Sequence, residues 1–115
     1  MKLIELAYFT DNIKGMSGFY RGLLGSEPVA QSDDMAIIMS GDTKIFIHRN
    51  YPPAEGELPP FNHIAFAVED VDAACAALTR QGLKIEIPPK DYYLGRSAYL
   101  RDPDGHRVEI SRDTK

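Results

Sequence analysis

The sequence predicts an α+β domain built from two tandem βαβββ modules whose strands form a cup-shaped mixed sheet. Three observations predict it. First, the order strand, helix, strand, strand, strand occurs twice, and internal repetition of this kind fixes an architecture. Second, an offset of 58 residues lays Glu5 on His63, Ala7 on Ala65, Asn12 on Asp70 and Ile13 on Val71, and the helix-stop glycines Gly25 and Gly82 match within one residue. Third, Asp102-Pro103-Asp104-Gly105 is a tight turn between apolar runs, which joins two antiparallel strands. Neither module alone could cover its sheet, so the two should pair around a shared concavity.

The elements follow in order. Residues 3–9 alternate as a strand, with Ile4, Leu6 and Tyr8 on one face and Leu3, Glu5, Ala7 and Phe9 on the other. Asp11-Asn12 supplies a helix N-cap. Ile13, Met16, Tyr20 and Leu23 recur at helical spacing until Gly25. Short strands are expected near 28–31, 35–40 and 43–49, with a turn over Ser40-Gly41-Asp42-Thr43. Residues 51–60 form a linker, since 50–60 hold four of the eight prolines. The modules are thus 1–50 and 61–115. In the second, Phe61 to Val68 reads as a strand and Asp70 caps a helix with Val71, Ala74, Cys75 and Leu78 on its apolar stripe. Strands follow near 84–87, 96–101 and 106–112.

Bulk properties narrow the function. The 115 residues, 43% hydrophobic, suffice for one domain with a real core. The net charge of −4 and the lack of a basic cluster exclude nucleic acid as an expected partner. No apolar run approaches the roughly 18 residues of a membrane span. The N-terminus alternates as a strand and does not read as a signal peptide. A single cysteine, Cys75, builds no disulfide framework, which suits a reducing, cytoplasmic setting. Cys75 itself lies on the apolar stripe and reads as a buried structural residue.

Glu109 stands in mid-strand between Val108 and Ile110, so it points away from their face. A carboxylate there needs water, a partner or a metal. The repeat gives it partners, since Glu5 and His63 occupy inward positions on the first strands of the two modules.

The duplicated βαβββ unit, Phe19-Tyr20-x-x-Leu23-Leu24-Gly25 and the final Asp-Pro-Asp-Gly-x-x-x-Glu hairpin resemble the vicinal oxygen chelate superfamily. That family includes glyoxalase I, bleomycin-resistance proteins, fosfomycin-resistance enzymes and extradiol dioxygenases. The run Gly95 to His106 looks most like the fosfomycin-resistance enzymes. The resemblance implies a homodimer and a small-molecule pocket. Lyase, isomerase or transferase chemistry on a small oxygenated substrate is one implied activity, and metal-free sequestration of a ligand is the other. In metal-dependent members four inward strand positions supply ligands. Here these are Glu5, His63, Glu109 and, by the hairpin alignment, Phe46, which cannot bind a metal. His48 shares the face of Phe46 but lies about 6.7 Å further along, so it would need a bulge to replace it.

Glu5, His63 and Glu109 would suit one divalent ion, Mn²⁺, Zn²⁺, Ni²⁺ or Fe²⁺. With one histidine the set departs from the two-histidine iron triad of oxygenases. Without metal, an imidazolium between two carboxylates is a satisfied charge network. A third reading makes Glu5 or Glu109 a general base whose pKa is raised by the other's charge. Phe9, Phe46, His48, Tyr92, Arg96 and Tyr99 are the candidate substrate contacts, the rings for stacking and Arg96 for clamping an anion. Tyr51 could line the same cavity, while Met16, Met35 and Met39 read as core.

Overall fold

The computed structural model describes residues 1–53, 60–93 and 95–112. The elements are β1 (Lys2–Thr10), α1 (Ile13–Leu24), β2 (Ala30–Gln31), β3 (Met35–Ser40), β4 (Thr43–Arg49), β5 (His63–Val68), α2 (Val71–Arg80), β6 (Ile87–Tyr92), β7 (Gly95–Arg101) and β8 (Arg107–Arg112). The two expected βαβββ modules are therefore present. Of the proline-rich linker expected at 51–60, residues 54–59 lie outside the described residues. The chain forms two compact units, Glu5–Asn62 and Met1–Ile4 with His63–Lys115.

In the unit Glu5–Asn62 the strand order is β2-β3-β4-β1. β3 is antiparallel to β4, and β4 runs parallel to β1. Asn12 caps α1, its Oδ1 accepting from the Gly15 N–H at 2.9 Å. That cap requires glycine at 15, because a Cβ there would meet Asn12 Nδ2 at 2.2 Å. The apolar stripe of α1 covers one sheet face. Ile13, Ala36, Ile38, Ile45 and Ile47 are buried, with Leu6, Tyr8, Met16, Tyr20 and Leu24 packed around them. Met35 and Met39 are corrections. They are half-buried on the opposite face, because strand alternation gives the core face to Ala36 and Ile38.

The second unit repeats this plan with the order β5-β8-β7-β6. Asp70 caps α2, accepting from the Ala73 N–H at 3.0 Å. Val71, Cys75, Ala98, Leu100 and Ile110 form its core. Burial pushes the Cys75 thiol up, and the charge of Asp72 adds to this, as fits a structural cysteine. The strand expected at 84–87 is displaced to Ile87–Tyr92. The prolines at 88 and 89 argue against a ladder position, yet an edge strand tolerates them, and the register shifts between Ile87 and Lys90. Tyr92 consequently belongs to a strand, while Tyr93 is fully exposed.

The final turn forms as expected. Gly105 takes φ 89°, a left-handed conformation that favours glycine. Asp102 Oδ1 accepts from the N–H groups of Asp104 at 3.0 Å and His106 at 2.8 Å. The hydrogen bond from the His106 backbone is the main reason its carboxyl sits below the usual range; burial opposes it, and the His106 side chain and the Asp104 N–H add to the lowering. A depressed carboxyl contributes stability that is present above the unfolded-state pKa, about 3.9, and is lost as pH falls through the folded value. Asp102→Ala should therefore unfold earlier than the parent in urea at pH 7. The gap should begin to narrow as the pH drops below about 4 and close only below the depressed folded value, where Asp102 is protonated in the folded and unfolded parent alike.

Candidate functional site

Three strands of the second unit build the site. Val108 and Ile110 face the α2 core, so Glu109 emerges on the other side. Ala98 and Leu100 do the same on β7, which turns Ser97 and Tyr99 toward Glu109. In the registers Glu109 stands between Ala65 on β5 and Tyr99 on β7. Ala65 is small and leaves room beside the carboxylate, and His63 is the next residue on that face of β5.

The contacts are short. His63 Nε2 lies 3.0 Å from Glu109 Oε1, and the two side chains are 11% and 13% exposed. The Ser97 hydroxyl donates to Glu109 Oε2 at 2.6 Å. Burial alone would raise the Glu109 carboxyl. Hydrogen bonds from His63 and Ser97, the charge of His63 and the Tyr99 hydroxyl outweigh it and hold the group below the ordinary range. A raised general base at 109 is thus corrected. The expectation weighed only a neighbouring carboxylate and not these donors.

Tyrosines flank the pair. The Tyr99 ring meets His63 edge-on at 6.0 Å and Tyr92 at 6.2 Å. Burial, then the negative charge of Glu109, raise the Tyr92 hydroxyl. Ser97 was missed by sequence reasoning. The signal was available, because the register of the final hairpin puts Ser97 and Tyr99 on the face of Glu109. Arg96 is placed elsewhere. It lies on the α2 side of β7, its Nε 2.7 Å and its Nη2 2.9 Å from the Asp72 carboxylate, and its Nη1 3.0 Å from Asp91. Its guanidinium ties α2 to β7 and β6, on the face of β7 away from Glu109.

In the unit Glu5–Asn62, Glu5 pairs in register with Lys44, whose Nζ lies 3.8 Å from Glu5 Oε1. Ala7 stands beside Phe46 in β1–β4, as Ala65 stands beside Glu109 in β5–β8. Phe46 is therefore the repeat's counterpart of Glu109, as the hairpin alignment expects. The β1–β4 register runs unbroken from Lys44 to Arg49, so His48 does not slip into that position. Instead Phe9, Phe46, His48 and Tyr51 form one cluster, with centroids 5.6–6.1 Å apart around His48 and between Phe9 and Tyr51.

The family model of the Glyoxalase/Bleomycin resistance protein/Dioxygenase superfamily matches residues 2–110. The chain is 30% identical to the uncharacterised protein YraH of Bacillus subtilis (strain 168), over 96% of this chain and 97% of that one. It is 26% identical to a lactoylglutathione lyase of Neisseria meningitidis (serogroup A), over 96% and 89%. It is also 26% identical to the metallothiol transferase FosB of Shouchella clausii, over 96% and 79%.

Proposed function

Because the chain belongs to the Glyoxalase/Bleomycin resistance protein/Dioxygenase superfamily, we propose that it binds a small oxygenated molecule at Glu109 and His63, with one divalent ion as the organising cofactor. One observation carries the reading. A half-buried, ionised carboxylate and an imidazole converge within 3.0 Å on the sheet face that α2 leaves open.

The donor set fits such an ion. An imidazole nitrogen and a carboxylate oxygen are suitable donors for Mn²⁺, Zn²⁺, Ni²⁺ or Fe²⁺. The second oxygen of Glu109 is held by Ser97, and ligating carboxylates are commonly oriented in this way. Glu5 enters as a third ligand on the sequence repeat alone. Phe46 donates nothing, and a catalytic ion with three protein ligands keeps a position for substrate. Bound there, the ion would polarise a substrate oxygen. The chain's own residues do the rest. Ser97 and Tyr99 keep Glu109 ionised and oriented, and Tyr92 and Tyr99 offer rings beside it.

The named relatives bring lyase and transferase chemistry into this proposal as classes, without fixing either. A cytoplasmic homodimer, expected from the single cysteine and the family resemblance, rests on those observations only. Among the described residues no helix is long and apolar enough to cross a membrane.

A second reading, a metal-free binding protein, is favoured by the same contact, since His63 satisfies Glu109 directly. Calorimetric titration with Mn²⁺ and Zn²⁺ separates the two. Ser97→Ala should bind the preferred ion about 10- to 100-fold more weakly than the parent, the usual effect of losing a group that orients a ligand. Heat-silent titrations beside intact ligand binding would favour the metal-free protein, and equal affinity in the two would remove Ser97 as the group that orients the ligand.

A further inference from the structure

The outward face of α1 carries a feature that the Glu109 centre does not use. Ile13, Met16, Tyr20 and Leu24 pack on the sheet, yet Phe19 and Leu23 are 61% and 65% exposed. These two lie four residues apart, on one flank of the outward face. Lys14 and Arg21, seven residues apart, share the opposite flank. Gly18 and Gly22 lie between the flanks and are exposed. Their own unit does not require them. Gly15 serves the Asn12 cap, but a Cβ at Gly18 or Gly22 would meet no atom of the described residues within 4 Å, the backbone of the helix itself aside. Glycine inside a helix is unfavourable, because it loses the most backbone freedom on folding. Two of them beside two exposed apolar side chains mark a face shaped for another surface.

The face is complementary to itself. Two copies of α1 set antiparallel, about a two-fold axis between residues 20 and 21, place Leu23 against Gly18 of the second copy and Phe19 against its Gly22. Each contact then occurs twice. A glycine leaves the hollow into which a large side chain of the facing helix fits. About such an axis like flanks meet, so the Lys14 flank of one copy lies along the same flank of the other. Glu27 stands on that flank, its Oε2 3.7 Å from Arg21 Nη1. Lys14 of each copy therefore approaches Glu27 of the other, and the charges are complementary. Arg21, close to the axis, is already neutralised by Glu27 of its own chain. A parallel pairing would instead set Phe19 on Phe19 and Lys14 on Lys14. A helix of 12 residues is about 18 Å long and about 10 Å across. Its footprint falls well short of the roughly 800 Å² per partner of a stable interface, so the association is weak and reversible.

We propose that α1 is a self-association surface, on which a second copy of this chain docks antiparallel through Phe19, Leu23, Gly18 and Gly22, with Lys14 of each copy paired to Glu27 of the other. The contact is read from α1 alone and does not depend on an ion at Glu109.

The test is a dilution series of the full chain, from its solubility limit down, followed by nitrogen-15 correlation spectra and sedimentation velocity. Low ionic strength is used, where charge pairs are least screened. Amide shifts that depend on concentration are expected at Gly18, Phe19, Gly22 and Leu23. Leu23→Glu should keep the folded spectrum, because residue 23 is exposed, and should weaken association at least about tenfold. Lys14→Glu and Glu27→Lys should each weaken it about three- to tenfold, since two ion pairs per dimer turn repulsive. An equimolar mixture of these two variants should regain the parent's association, because both charge contacts of the mixed dimer again join opposite signs. Shifts independent of concentration, shifts absent from α1, undiminished association in Leu23→Glu, or no recovery in the mixture would each overturn the proposal.

Discussion

Glu109→Ala is expected to leave the chain folded and to abolish the proposed binding of a divalent ion. The substitution deletes the acceptor of His63 Nε2, of the Ser97 hydroxyl and of the Tyr99 hydroxyl. Leaving buried partners unpaired costs about 1–3 kcal/mol each at most, and less where water can enter. The Glu109 side chain keeps 13% exposure on a face that α2 does not cover, so water can re-pair these groups. The melting temperature of the metal-free protein should fall by a few degrees only, on the order of 3–6 °C per kcal/mol for a domain of this size. The stabilisation conferred by added ion should vanish. A collapse of the fold in metal-free buffer would instead make Glu109 a structural residue.

Ile110→Ala, one residue along the same strand, should do the opposite. Ile110 is 2% exposed and packs in the α2 core with Val71, Cys75, Ala98 and Leu100. Truncating a buried isoleucine removes its transfer free energy and leaves a cavity, together about 2–5 kcal/mol. That corresponds to a fall in melting temperature on the order of 10 °C or more. Ion affinity, measured below the transition, should change little, because the substitution lies on the other face from Glu109. Thermal melts and calorimetry on the two variants should give opposite patterns. A small stability loss in Ile110→Ala with lost ion binding would contradict the assignment of faces.

Much of this was legible in the sequence, for identifiable reasons. The repeat survives in turn and cap residues, Asn12 and Asp70 before the helices and Gly25 and Gly82 after them, whose local demands do not depend on distant packing. Alternation put Glu109 opposite Ile110, and the hairpin alignment paired Phe46 with Glu109. What escaped depends on tertiary placement. β6 was misplaced because Pro88 and Pro89 forbid a central strand, and only the sheet order reveals that this strand is an edge. Arg96 looked like a pocket residue because nothing local ties it to Asp72, 24 residues earlier on α2. Ser97 was overlooked because serine in a strand is unremarkable until the register sets it 2.6 Å from a carboxylate.

The most direct test is the metal content of the purified chain after equilibration with a mixture of Mn²⁺, Zn²⁺, Ni²⁺ and Fe²⁺ and exhaustive dialysis, by plasma mass spectrometry. About one equivalent of a single ion per chain is predicted, falling to background in both His63→Ala and Glu109→Ala while each stays folded. Substoichiometric metal in the parent, or equal metal in parent and variants, would contradict an ion held by His63 and Glu109.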